Sequence, residues 1–287
     1  MKTRYFALLL ILPLFVGLNA CKGLMERNAE EAAAKAAEED GFATEISDEI
    51  IQIIEEAEVS QEAPREAGRM EVSYATIGNC ATITRVSRTD NSRELTIDFG
   101  TTNCQGADAK SRRGKIIARY TGNYFTDGLI ANVSFEDYFV NDHQVTGTKT
   151  INRGLNGSNG FPTKQVNADL NIRLANNGGT LVWRCDRSRE WIAGSDTPFV
   201  FSDDTFRWNG VAILTSSNGR TATATIDRNN PLIKTLRIGC ARTFVSGVIN
   251  FNFNNSTSAS IDYGDGTCNR TATITVNGKS REVIIRQ

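Results

Sequence analysis

From Met70 to the end of the chain, apolar side chains recur at every second position, and the runs are punctuated by Asn, Gly and Asp. Leu129, Ala131, Val133 and Phe135 share one parity, with Asn132, Ser134 and Glu136 on the other. The turn candidate Asn141-Asp142 follows, and then a second strand over 144–152. Val166, Ala168, Leu170, Ile172 and Leu174 again lie on one side, before Asn176-Asn177-Gly178-Gly179 and a return through Leu181, Val182 and Trp183. Asn and Gly tolerate positive φ, so that tetrapeptide is a strong hairpin signal. Segments 208–215 and 221–226 flank Asn218-Gly219, Ile249, Phe251 and Phe253 alternate, and Asn277-Gly278 precedes the final strand. Period-2 segments joined by such turns, with no helices between them, predict an all-β antiparallel system and exclude a helix-covered parallel sheet. A long curved meander is the first expectation and a two-sheet sandwich the second.

The first 69 residues follow different rules. Lys2 and Arg4 precede an almost unbroken apolar run from Phe6 to Val16, and Leu18-Asn19-Ala20-Cys21 has the form of a lipobox. This reads as a signal peptide over 1–20, too short for a comfortable membrane span, with acylation of Cys21 fixing the mature chain to a membrane face. Residues 21–69 read as an acidic, partly helical tether: about 12 acidic side chains face about 2 basic ones between Met25 and Ser60. Ala and Glu favour a helix over 26–40, Gly41 is its expected stop, and Ser47-Asp48 would cap a second, short helix. Its Ile50, Ile51, Ile53 and Ile54 would dock on the β domain or on a partner, with a spacer role favoured for the segment. The formal net charge of -1 then requires residues 70–287 to be mildly basic. That charge is spread over strand-like segments, which argues against a nucleic-acid partner.

Five cysteines follow Cys21, none in a CxxC, and His143 is the only histidine, so zinc and dithiol chemistry lack support. The chain echoes itself over 78–120 and 238–276. Thr96-Ile97-Asp98-Phe99-Gly100 matches Ser260-Ile261-Asp262-Tyr263-Gly264, and each copy has one cysteine ahead of it and one beyond it. Antiparallel neighbours bring such positions together, so the expected bridges are Cys80–Cys104 and Cys240–Cys268, leaving Cys185 as a thiol. Asp98 and Asp262 read as turn residues rather than calcium ligands, because the alternating acids and terminal glutamate of a calcium loop are missing.

Catalytic signals are sparse. His143 lies beside a turn with no nucleophile motif, and Asp186 with Glu190, or Asp203 with Asp204, could supply a carboxylate pair for glycoside hydrolysis. No catalytic, cofactor-binding or metal-ligating residue is assigned, and no cofactor is expected. The most polar aromatic stretch runs from Trp183 to Trp191. Trp183, Arg187, Arg189 and Trp191 could form a binding surface for a sugar, an acidic polymer or a protein. They could equally serve cross-strand pairing, with each Trp filling the core.

Several of these segments carry a resemblance. The lipobox Leu18 to Cys21, the acidic spacer, Thr96 to Cys104, Tyr138 to Asp142, Gly147 to Thr150, Arg189 to Gly194 and Asp262 to Cys268 are similar to those of uncharacterised outer-membrane lipoproteins of Bacteroidota, especially flavobacteria-like organisms. The resemblance implies source and anchoring and transfers no activity. Lys22 departs from the acid-rich stretch of surface-export signals in that group, which implies a periplasm-facing anchor. The expected role is a structural or binding module of the envelope. Its partners would be membrane lipid through Cys21 and an envelope protein or glycan, and the alternative is an envelope hydrolase acting on glycans.

Overall fold

The computed structural model describes residues 16–62, 77–106, 108–154, 160–197, 201–237, 240, 244–254, 257–269 and 271–284, with 16–27, 62 and 201 described by backbone alone. The expected signal segment up to residue 15 and most of the expected linker lie outside the described residues. One helix, α1 (Val16–Glu62), precedes fifteen strands. They are β1 (Thr82–Ser87), β2 (Ser92–Asp98), β3 (Cys104–Gln105), β4 (Ser111–Thr121), β5 (Ile130–Val140), β6 (His143–Gly154), β7 (Thr163–Arg173), β8 (Thr180–Ala193), β9 (Thr205–Ser216), β10 (Thr221–Ile226), β11 (Leu232–Thr235), β12 (Ser246–Phe253), β13 (Ser258–Asp265), β14 (Thr271–Val276) and β15 (Lys279–Ile284). All belong to one antiparallel sheet in near-sequential order, β1-β2-β4-β5-β6-β7-β8-β9-β10-β12-β13-β14-β15, with β3 beside β4 and β11 between β9 and β12. This is the curved meander, and not the two-sheet sandwich.

The sheet curls because one face has something to bury. Val166, Ala168, Leu170 and Ile172 of β7, Leu181 and Trp183 of β8, and Ile249, Phe251 and Phe253 of β12 all point inward and are buried, while alternate residues are exposed or half-exposed. What they cover is α1. No residue from Ala36 to Ser60 is exposed, and Ile50, Ile51, Ile53 and Ile54 have no accessible surface at all. Together with the buried Gly41, Thr44, Glu49 and Glu56 they span most of the helix circumference, so a single flat sheet could not bury them all. Both sheet edges reach the helix: Arg85 of β1 pairs with Glu58 at 3.1 Å, and Arg281 of β15 with Glu30 at 3.2 Å.

Glycines let the sheet bend this sharply. Gly147 in β6 and Gly210 in β9 sit inside strands at φ of 111° and 115°. A Cβ at either would collide with a neighbouring-strand carbonyl, that of Asp169 or Asp186. Backbones approach there more closely than any side chain permits, which kinks the strand.

The helix departs from the expected one in two respects. Gly41 does not stop it, and Ser47 does not start another; both are buried within one 47-residue element. A glycine costs helix stability only where nothing compensates, and here packing against the sheet does. Nor does the described helix behave as a solvated spacer, because its isoleucines and alanines are part of the core. It lacks a broad apolar stripe because it is enclosed, with its carboxylates met by partners from the sheet.

The two bridges form as expected. Cys80 pairs with Cys104 across a Cα separation of 5.8 Å, Cys240 pairs with Cys268 across 5.1 Å, and Cys185 is a buried free thiol. The echo is structural as well. Asp98 Oδ1 accepts the Gly100 N–H at 2.8 Å, and Asp262 Oδ1 accepts the Gly264 N–H at 2.8 Å. The aromatic between Asp and Gly, Phe99 or Tyr263, is buried in both copies. Each aspartate therefore closes a strand-end turn, as its side-chain-to-backbone bond dictates.

Candidate functional site

The polar chemistry of this fold is concentrated in two places, the seam between α1 and the sheet and a groove on the sheet's outer face. Along the seam, acids of the helix meet bases of the strands. Asp40 accepts both of its Arg187 bonds from Nη2, at 2.9 and 2.8 Å, and a third bond from Trp183 Nε1 at 2.9 Å. Thr44 Oγ1 takes Arg187 Nη1 at 2.8 Å. Glu49 pairs with Arg112 at 2.7 Å and with Lys110 at 2.6 Å, and Lys110 also reaches Glu45 at 2.8 Å. Glu55 joins Arg153 at 2.7 Å and Lys164 at 2.6 Å, and Glu39 joins Arg220 at 2.6 Å. The acidic N-terminal segment and the basic remainder of the chain thus neutralise each other inside one domain.

Burial and pairing set the protonation of this seam. Burial alone would raise the Glu55 carboxyl, but Lys164, Arg153 and Arg189 together hold it down at about 2. Carboxylates beside Lys110 hold its ammonium above the usual range despite desolvation. Among the described residues Lys149 has no such closely bonded anion: its ammonium donates to the Ser47 carbonyl and hydroxyl, each at 2.5 Å. Desolvation pushes it down to about 7, against the pull of Asp48.

The residues singled out as a binding surface are therefore redistributed. Trp183 and Arg187 are each 1% exposed and belong to the seam, so they are closed to an external ligand. The β8 register explains this: 183, 185 and 187 share the parity that faces the helix. Arg189 stacks over the Phe206 ring at 3.7 Å, and Trp191 donates its indole N–H to Asp204 Oδ1 at 2.9 Å. The structural reading, with each Trp filling space and each Arg paired or stacked, is the one the fold adopts.

The other candidates are also engaged. His143 Nδ1 accepts the Ala175 N–H at 3.1 Å, and its ring meets Phe42 edge-on at 4.9 Å. Asp186 accepts a bond from Gln165, and Glu190 pairs with Arg207. Asp203 and Asp204 do come together. A Cβ on Gly194 would collide with Asp204 Oδ1 and lie 3.0 Å from Asp203 Oδ1, which places the two carboxylates on the order of 5 Å apart or less. Asp204 is buried, and desolvation pushes its carboxyl up to about 7. Among the described residues no group of three His, Cys, Asp or Glu side chains is placed to hold a metal.

The groove was not visible in the sequence. It occupies about 470 Å³ where the β1–β2 turn, the end of β4 and the start of β5 converge, with Arg88, Arg119 and Glu94 along it, while Arg93, opposite Tyr120 in the register, shares the parity of the inner face. Strand register builds it: Glu94, Arg119 and Asn132 stand opposite one another across β2, β4 and β5. Arg119 Nε is braced by Glu94 at 2.7 Å. Asp90 shapes the turn by accepting the Ser92 N–H at 3.0 Å and its hydroxyl at 2.6 Å, and Asn91 adopts a φ of 63°. Ile130, 51% exposed, gives the groove an apolar wall. Arg88 comes from the β1–β2 turn and Arg119 from β4, and only the pairing of β2 with β4 brings them to one groove.

Compared with family models, curated proteins and solved structures, this chain matches none.

Proposed function

We propose that this chain is an exported lipoprotein, acylated at Cys21, whose β domain is a structural or binding module of the outer envelope. The observation that carries this reading is the pair of disulfides in the sheet, Cys80–Cys104 and Cys240–Cys268. Such bridges persist in oxidising compartments outside the cytosol. The lipobox Leu18 to Cys21 supplies the route there and the anchor, in keeping with the resemblance to Bacteroidota lipoproteins. Among the described residues no helix is long and apolar enough to cross a membrane. A module rather than an enzyme is favoured because the seam's charged side chains are consumed by helix-to-sheet pairing. Intact mass spectrometry of the native protein tests the proposal. The expected product begins at an acylated Cys21, and Cys21→Ser leaves the envelope membrane fraction; an intact N-terminus without acyl chains refutes it.

One observation favours the second reading, an envelope glycan hydrolase. Asp203 and Asp204 form a close carboxyl pair in which one member is held protonated near neutrality, as a general acid requires. Glycan zymography of the wild type and Asp204→Asn separates the two readings. Clearing by the wild type that the variant loses supports the hydrolase, and no clearing by either supports the module.

A further inference from the structure

Charge pairing along the seam is incomplete in one place. Strand register sets Arg153 of β6, Lys164 of β7, Arg189 of β8 and Trp208 of β9 side by side in one row. Lys149 lies four residues before Arg153, on the same face of β6. Against the four cations α1 sets two carboxylates, Glu55 and, two turns earlier, Asp48. Glu55 Oε1 is shared between Arg153 at 2.7 Å and Lys164 at 2.6 Å, and Asp48 Oδ1 stands 3.9 Å from Arg189 Nε. Asp204 is the third acid close enough to act on Arg189 and Lys164; it is mostly protonated below about pH 7, with Asp203 exposed beside it. Burial keeps the Cys185 thiol near Lys149 and the Tyr124 hydroxyl near Glu55 neutral.

The same row carries donors with nothing to donate to. Among the described residues, Arg153 Nε, Arg189 Nε, Trp208 Nε1 and the Tyr124 hydroxyl are buried without a hydrogen-bond partner. Tyr124 and Trp208 bracket the row: the Tyr124 ring lies 5.4 Å from the Arg153 guanidinium, and the Trp208 ring 5.8 Å from that of Arg189. Trp208 is 2% exposed and Tyr124 has no accessible surface. An orphaned donor or an unmatched charge inside a protein destabilises it unless something accepts from it. Four N–H or O–H donors and an excess of cations suit an occupant that only accepts, carries negative charge and is small enough for a packed interior. We infer that this row holds a halide ion, chloride in the protein's ordinary surroundings. Carboxylates from elsewhere in the chain are the competing occupant. Stretches 155–159 and 198–200, close to the row in sequence, contain none, whereas 63–76 contains Glu66 and Glu71. Burial lowers Lys149 to about 7 and Lys164 to about 8, so the charge excess is largest below neutrality and shrinks as pH rises towards 9.

Urea unfolding of the full chain at constant ionic strength, with sodium chloride exchanged stepwise for sodium gluconate, tests the inference. At about pH 6.5 chloride is expected to lower the unfolding equilibrium constant, about tenfold for each tenfold rise above its dissociation constant, and gluconate is not. At about pH 9 the chloride effect should shrink severalfold. Trp208→Phe and Tyr124→Phe each remove a donor and keep an aromatic ring. The double variant is expected to need at least about tenfold more chloride for the same effect, whatever its stability in gluconate. Glu66→Gln/Glu71→Gln should keep the wild-type dependence. Unfolding that ignores chloride near pH 6.5, or responds equally to gluconate, overturns the inference. So does a chloride effect unchanged in the double aromatic variant, which places the ion elsewhere. A chloride effect that appears only when Glu66 and Glu71 are replaced makes those carboxylates the occupant and overturns it too. Crystals grown from bromide supply a second readout that needs no variant to fold. An anomalous peak within hydrogen-bond reach of Trp208 Nε1 and Arg189 Nε is expected, and its absence overturns the site.

Discussion

Asp40→Asn is the sharpest perturbation of the seam. Asp40 is 2% exposed and Arg187 1% exposed, and both guanidinium bonds to the carboxylate lie within 2.9 Å. The substitution keeps the shape and removes the charge, so a buried guanidinium loses its anion. Among the described residues its Nε has no partner even in the wild type, and Thr44 alone remains to accept from Nη1. Breaking one side of such a pair costs about 3–5 kcal/mol, a large part of the roughly 5–15 kcal/mol available to a whole domain. Replacing both partners removes the stranded charge, so Asp40→Asn/Arg187→Met should recover much of that loss. The assay is urea unfolding of the full chain with disulfides intact, comparing wild type, both single variants and the double. A cost below about 1 kcal/mol for Asp40→Asn, with no coupling in the cycle, would refute the seating of α1 within the sheet.

Four further outcomes follow from the same structure. Removing either disulfide by paired Cys→Ser substitution should cost about 3.5 kcal/mol by loop entropy, read from urea midpoints, since the bridged positions are 24 and 28 residues apart. Lys149 titrates at about 7 when folded against 10.5 ordinarily, so above pH 7 the unfolded chain holds a proton that the folded one has shed. Stability should therefore rise between about pH 7 and 10, and Lys149→Met should flatten that limb of a melting-temperature profile. Asp204 acts in the opposite sense: folded, it keeps its proton up to about pH 7 against 3.8 ordinarily, so its contribution falls across that window and Asp204→Asn should remove the fall. Gly147→Ala should cost more than about 2 kcal/mol in the same urea assay, because a methyl there strikes the Asp169 carbonyl at a φ of 111°.

What could be read in advance was whatever is local. Alternation and Asn-Gly turns mark the strands because side-chain direction reverses at each residue. The disulfides were legible because the chain repeats a three-strand unit with a cysteine at the same two places, Cys80 and Cys104 in one copy and Cys240 and Cys268 in the other. The burial of α1 was not legible. Its glutamates look like those of a solvated spacer, and the cations that neutralise them lie far along the chain, as Arg187 lies 147 residues from Asp40. The Trp183 to Trp191 stretch carried two readings that only the position of the helix could separate, since inward parity has meaning once something occupies the concave face. The arginine groove depends on the β2–β4–β5 register, and no single strand contains enough of it to be noticed.

The account stands on α1 being the core of the sheet, and hydrogen exchange of its backbone amides measures that directly. Amides from Ile46 to Ala57 are predicted to exchange only through global unfolding, with the protection of the central strands β7 and β8. Exchange of that segment within seconds to minutes, while β7 and β8 stay protected, would contradict it.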